Sequence, residues 1–227
     1  MHFNINKLAV AIAALAPFGV GAIAPMSAHA SANLVQNGDF ELGNTGFSSD
    51  YGYYPVGSST DGSGHDFYQI STDARTNNSR WVALADHTSG SGNYMNVDGS
   101  DNQDTAFWKQ SIGVEVGKTY QISGYFSSLY PVSDPTIKYT IDGADATSTF
   151  DLATPGTWEQ HSFLWTATTN TLNLGLVDAN TDQGGNDFAI DDLSVRAVPE
   201  ASTVVLFSLM AMGGLLILRK RGSKTIA

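Results

Sequence analysis

Several segments alternate apolar and polar residues with a period of two. Over residues 119–127, Tyr120, Ile122 and Phe126 fall on one side and Gln121, Ser123 and Tyr125 on the other. Over 136–141, Ile137, Tyr139 and Ile141 alternate with Lys138 and Thr140. Over 171–178, Leu172, Leu174 and Leu176 alternate with Asn173 and Gly175. A strand points successive side chains to opposite faces, so this pattern predicts half-buried strands. Further strands are expected at 33–35, 67–70, 81–84, 94–97, 106–114, 158–166 and 188–196. Turn pairs such as Asp98-Gly99, Asp142-Gly143, Pro155-Gly156 and Gly184-Gly185 separate them. Asp142-Gly143 predicts a hairpin between 137–141 and 148–152. The Ser-, Gly- and Tyr-rich stretch 47–64 reads as a long loop. No part of the body carries a helical period. About ten short strands in one body predict an all-β, two-sheet jelly-roll β-sandwich.

The two ends read differently. Lys7 precedes an almost wholly apolar run from 8 to 23, and Ala28-His29-Ala30 places small residues at a cleavage site before Ser31. This is the pattern of an N-terminal signal peptide over 1–30. At the other end, residues 201–218 carry no charge and Arg219, Lys220 and Arg221 follow. A helix of that length rises roughly 27 Å, enough for a bilayer's hydrocarbon core, and the basic end favours the cytoplasmic side. The predicted organisation is therefore signal peptide, sandwich over 31–197, transmembrane helix at about 201–218 and a cytoplasmic tail over 222–227.

Charge narrows the partners. The chain has a formal net charge of −11. Between 31 and 198 only Arg75, Arg80, Lys109, Lys118, Lys138 and Arg196 are basic, against twenty-one acids, which puts the body near −15. Nucleic acid is excluded as a partner, because phosphate binding needs a concentrated Lys/Arg surface. There is no cysteine, so disulfides, thiolate metal sites and a Cys nucleophile are excluded. Most of the acids are Asp beside Gly, Asn or Ser, which suits turns and also suits oxygen ligation of a divalent cation. The loop 98–104 lacks the Glu of an EF-hand, and Gly184-Gly185-Asn186-Asp187 occurs once, without a repeat period.

Two resemblances add to this reading. From Val198 on, Pro199, Glu200 and Ser202, the apolar run and the Arg219-Lys220-Arg221 end resemble the PEP-CTERM sorting signal of Gram-negative bacteria; Ala201 stands where that signal has its second proline. The resemblance implies export across the inner membrane, an exosortase as processing partner, and a cell-surface or matrix destination. In the body, Asn33-Leu34-Val35-Gln36-Asn37-Gly38-Asp39-Phe40-Glu41, the Trp108-Lys109-Gln110 strand and Phe188-Ala189-Ile190-Asp191-Asp192 resemble, in order, galactose-binding-like jelly rolls, including carbohydrate-binding modules of families 4, 9 and 22. That resemblance implies neighbouring first and last strands and a structural Ca²⁺ held by Glu41, Asp191 and Asp39, with Asp192 as the alternate ligand. Asp39 as a turn cap and Asp192 as a solvated side chain are the plain alternatives.

Catalytic signatures are sparse. His65, His87 and His161 sit in no HExxH pattern, and no Gly-x-Ser-x-Gly elbow is present. The expectation is a non-catalytic protein, although an Asp pair of glycosidase type remains an alternative. For sugar binding, Tyr125 faces away from Ile122 and Phe126 and stands beside Gln121 and Ser123. A flat ring flanked by an amide and a hydroxyl suits a pyranose. Trp81 and Tyr94 are further candidates, as are Tyr51, Tyr53 and Tyr54, each with ordinary core packing as its alternative. Trp108 and Trp158 belong with the core. The expected function is binding of extracellular or surface polysaccharide. A structural or adhesive matrix role and an exopolysaccharide hydrolase are the alternatives.

Overall fold

In a computed structural model, residues 31–58, 65–103, 105–182 and 184–199 are described. The predicted signal peptide, Glu200, the apolar run 201–218 and Arg219, Lys220 and Arg221 lie outside the described residues. Among the described residues no helix is long and apolar enough to cross a membrane.

The alternating segments are strands. In chain order they are β1 (Gly52–Tyr53), β2 (Phe67–Ser71), β3 (Tyr94–Asp98), β4 (Ala106–Gly113), β5 (Thr119–Ser128) and β6 (Thr136–Ile141). There follow β7 (Ala144–Asp145), β8 (Phe150–Asp151), β9 (Glu159–Thr166), β10 (Thr171–Asp178) and β11 (Asp187–Ala197). The larger sheet runs β1-β2-β3-β11-β5-β9 and the smaller β4-β10-β6-β7, with β8 on the far end of β6. Pairing is antiparallel except between β1 and β2. The two sheets close on the apolar set read from the alternation. Leu172, Leu174, Leu176, Ile137, Tyr139 and Trp108 of the smaller sheet share one core with Ile122, Phe126, Phe188, Ile190 and Val195 of the larger. Each such buried side chain contributes about 1.5–3 kcal/mol, which makes the inward face the dominant determinant of register.

Three local expectations need correction. Residues 33–35 are not a strand. They lie beside β11 as expected, but one backbone bond (Leu34 N to Val195 O, 2.9 Å) and the Asn33 side chain do the joining. Asn33 Oδ1 accepts from Val35 N and Val195 N, and its amide donates to the Leu193 carbonyl. The chain then turns, with Asn37 and Phe40 at φ 53° and 55°. Gly38 is required there, because a Cβ would stand 2.2 Å from the Leu193 carbonyl oxygen. Residues 81–84 are not a strand either; they belong to the segment between β2 and β3, which crosses the outer face of the larger sheet. The hairpin turns at Asp142 (φ 53°) and Gly143 (φ 79°), as the left-handed pair requires. Its return, however, splits into β7 and β8 at opposite ends of β6. Between them the Thr147 hydroxyl accepts from Tyr139 N, taking a ladder position from the backbone.

The segment between β2 and β3 builds a second, smaller core. Ala74, Trp81, Tyr94, Leu129 and Ala189 pack together there, with Val82, Leu84, Tyr130 and Trp158 against them. Tyr94 accepts from Ala74 N and donates to the Leu84 carbonyl, pinning the segment to β3. One half of the larger sheet's outer face is thereby covered, and the other half is left as a groove.

Candidate functional site

Three strands set the groove floor. On β5, Gln121, Ser123 and Tyr125 point outward at every second position. Their partners in register are Arg196, Ser194 and Asp191 of β11, and Gln160 of β9 lies opposite Tyr125. A bulge between Asp191 and Ser194, with Asp192 at φ 49°, turns Leu193 inward while keeping both flanking residues on the outer face. Asn33, Asn37 and Asp39 of the amino-terminal segment and His87 close the walls around a volume of about 650 Å³. The Arg196 guanidinium is held by Ser194 Oγ and the Ser31 carbonyl.

Tyr125 is not a bare platform. The His87 ring stacks on it at 3.5 Å between centroids and 19° between planes, and Trp158 meets His87 edge-on. His87 Nδ1 is 2.7 Å from Asp192 Oδ2. Together they form an aromatic wall whose geometry is fixed by an acid pair.

That pair belongs to a larger acidic corner. Asp191 is fully buried and accepts from the backbone N–H groups of His87, Thr88 and Asp192. Burial pushes its carboxyl up to about 7, against the pull of those amides. Asp192 also takes the Thr88 hydroxyl. Asp86 accepts from Ser89 N and Gly92 N; burial opposes its ionisation, but these donors hold it below the ordinary carboxylate value. Glu41 Oε1 accepts from Asn93 N. Asp191 and Asp192 therefore staple the loop 86–93 to the sheet, Glu41 ties it to the amino-terminal segment and Asp86 braces it from within.

This arrangement differs from the expected calcium corner. With Phe40 in the left-handed region, Asp39 and Glu41 do not project together as neighbours on a strand would. Asp39 accepts weakly from Glu41 N (3.4 Å) and lines the groove, while Glu41 turns to the 86–93 loop. The lone pairs of Asp191 face amide and hydroxyl donors. As arranged, these residues do not fit a calcium ion. The described His and acidic residues whose ligand atoms all lie within 4.8 Å are His65, Asp66 and Asp101, elsewhere on the molecule.

Of the four predicted sugar-binding residues, Tyr125 and Gln121 share the groove and Trp81 and Tyr94 do not. Trp81 is 3% exposed and Tyr94 0%, so neither ring has a face to offer. Tyr51 is likewise core, whereas Tyr53 reaches the surface at the sheet edge. Sequence reasoning missed His87. Its only signal was a polar, turn-rich run, Asp86-His87-Thr88-Ser89-Gly90, of the kind that anchors loops through side-chain acceptors.

A second groove, about 690 Å³, crosses the outer face of the smaller sheet. Ser111, Asn173, Gly175, Lys138 and Thr140 form its floor. Lys138 pairs with Asp145 at 2.9 Å and Lys109 pairs with Asp50. Ser111 donates to Asn173, which donates to Asp142. Among the described residues no aromatic ring lines it.

No family model matches the chain. Halomucin of Haloquadratum walsbyi is 27% identical over 178 residues, which is 78% of this chain and 2% of that protein; the chain thus spans a small fraction of its curated relative. Among solved structures, the chain is similar to the amino-terminal CBM22-1–CBM22-2 tandem of Paenibacillus barcinonensis Xyn10C. Identity is 16%, coverage is 77% of this chain and 49% of that one, and the TM-score is 0.50. The single CBM22-1 xylan-binding domain of the same protein gives 16%, 76% and 98%, with a TM-score of 0.49. At this identity the tandem shows a shared fold. The chain is an all-β jelly-roll sandwich of the architecture found in carbohydrate-binding modules.

Proposed function

We propose that this protein binds an extracellular or cell-surface polysaccharide, without turning it over, in the groove of Tyr125 and Gln121. The observation that supports this reading most is the composition of that groove. One aromatic wall, Tyr125 with His87, stands beside Gln121, Ser123, Gln160 and Arg196. A pyranose presents apolar C–H faces and a rim of hydroxyls, and a ring with convergent amides answers both. The fold shared with the carbohydrate-binding module tandem agrees with a glycan. The test is a panel of immobilised glycans that includes the host's own exopolysaccharide. Saturable binding to at least one glycan, weakened by Tyr125→Ala, is the expected result. Silence across the panel would leave a structural or adhesive matrix role instead.

A second reading places the glycan on the smaller sheet, where Lys138, Asn173 and Ser111 make an open polar strip. Its mark would be sensitivity to Asn173→Ala and indifference to Tyr125→Ala.

Export and sorting complete the proposal. The ladder of β11 ends at Ala197, and Val198 N still bonds to the Thr119 carbonyl. The last backbone bonds of the sandwich thus fall just before Pro199, which suits a processing site at the Pro199-Glu200 pair. The protein is proposed to be exported in a Gram-negative bacterium, held in the membrane by 201–218, and released by an exosortase. Mass spectrometry of the mature protein tests this: a terminus near Pro199-Glu200 is expected, and an intact Arg219-Lys220-Arg221 end would contradict it.

A further inference from the structure

A second cluster lies away from the groove, in the loops before β2 and after β3. His65 Nδ1 is 2.8 Å from Asp66 Oδ2, and the Asp101 carboxylate joins them, all ligand atoms lying within 4.8 Å of one another. Three segments of chain meet there. Gly52 N donates to the Asp66 carbonyl, and Asp66 N donates to that of Gly99.

One oxygen of the cluster lacks a hydrogen-bond partner among the described residues. Asp66 Oδ1 is out of contact with solvent and accepts no hydrogen bond. Leaving a buried charged oxygen unpaired costs stability. A cation held by the cluster gives that oxygen a partner. His65 and Asp66 are each about two-fifths exposed, so an ion can reach them from solvent.

We propose that His65, Asp66 and Asp101 bind a divalent first-row transition ion of the zinc type. The donor set decides the class. Calcium takes six to eight oxygens, whereas one imidazole nitrogen with two carboxylates suits zinc and its neighbours. Bound there, the ion clasps the entry of β2 to the turn after β3. The site is independent of the glycan groove and of the sorting signal.

The test is titration of the metal-stripped full chain with Co²⁺, read by its visible absorption. One equivalent should bind, Zn²⁺ should displace it, and Ca²⁺ at the same concentration should not. His65→Ala and Asp101→Asn should each weaken Co²⁺ at least tenfold, and Asp191→Asn should leave it unchanged. No absorption change on titration, displacement by Ca²⁺, or parental affinity in either the His65 or the Asp101 variant would overturn the proposal.

Discussion

The two outer faces of this sandwich are built from the same alternation and end in different chemistry. On the smaller sheet the outward positions are short and polar, and its lysines are neutralised by Asp50 and Asp145. It presents hydrogen-bonding groups that already satisfy one another. On the larger sheet, half of the outward face is buried under the segment between β2 and β3. The edge of that cover delivers His87 onto Tyr125. The contrast teaches that a strand's outer face becomes a binding surface through what is laid beside it. Without the 86–93 loop, Tyr125 would be one ring on a polar sheet.

The sharpest way to break this comparison is to separate cover from groove. Trp81→Ala should destabilise the protein by about 3–5 kcal/mol, the usual cost of emptying a buried aromatic site, as read by denaturant unfolding. Under native conditions its glycan affinity should stay closer to the parent's than that of Tyr125→Ala. A Trp81→Ala protein of parental stability would mean that the second core does not hold the cover.

Next in size is Tyr125→Ala itself. Loss of a stacking ring worth about 1–1.5 kcal/mol predicts roughly a tenfold weaker glycan complex, with unfolding little changed. Asn173→Ala, on the other face, should alter neither.

The buried acids add a pH dependence. Asp191 is raised from 3.8 to about 7 chiefly by burial, and Asp178 likewise to about 7. A carboxyl whose folded value lies above its unfolded one binds its proton more tightly when folded. The stability it contributes is therefore full below about pH 4 and is lost as pH rises towards 7. Asp86 acts in the opposite sense, its contribution being lost as acid protonates it. Asp191→Asn and Asp178→Asn should each flatten the decline between pH 4 and 7 in melting experiments. Unchanged slopes would show that these carboxyls titrate near their ordinary value.

A smaller effect is expected from His87→Ala. Removing the ring that braces Tyr125 should cost about threefold in glycan affinity, the scale of ordering one side chain. The smallest effect concerns calcium. Because amides occupy the Asp191 lone pairs, adding Ca²⁺ to chelator-treated protein should leave the melting temperature unchanged. A clear rise that is abolished in Glu41→Gln would return calcium to that corner.

How legible all this was depends on the kind of residue. Alternation exposed the main core and the outward position of Tyr125 and Gln121, because inward and outward sides differ sharply in polarity along β5. Alternation said nothing of Trp81 and Tyr94, which stood as candidates by residue type alone and proved to be core. A period of two tells which face a residue is on, and cannot tell whether that face is later covered. The cover is also disguised by its polar lining. Asn77, Asn96, Ser71 and Gln69 are polar, yet they are buried: Asn77 donates to Asn96, which donates to Ser71, and Thr76 donates to Gln69. Gln110 of the Trp-x-Gln strand shows the opposite case. It exchanges hydrogen bonds with Gln36 and donates to Gly46, so a motif noticed only by resemblance proves to tie the amino-terminal segment to the smaller sheet. Asp39 and Glu41 do not behave as neighbours on a strand, because Phe40 between them turns left-handed and buries its ring.

The most direct test of the central claim is a parallel titration of one bound glycan into the parent protein, Tyr125→Ala and Asn173→Ala. The larger-sheet groove predicts a loss of about tenfold for Tyr125→Ala and none for Asn173→Ala. Parental affinity in Tyr125→Ala, with the loss appearing in Asn173→Ala, would move the glycan to the other face and contradict the account.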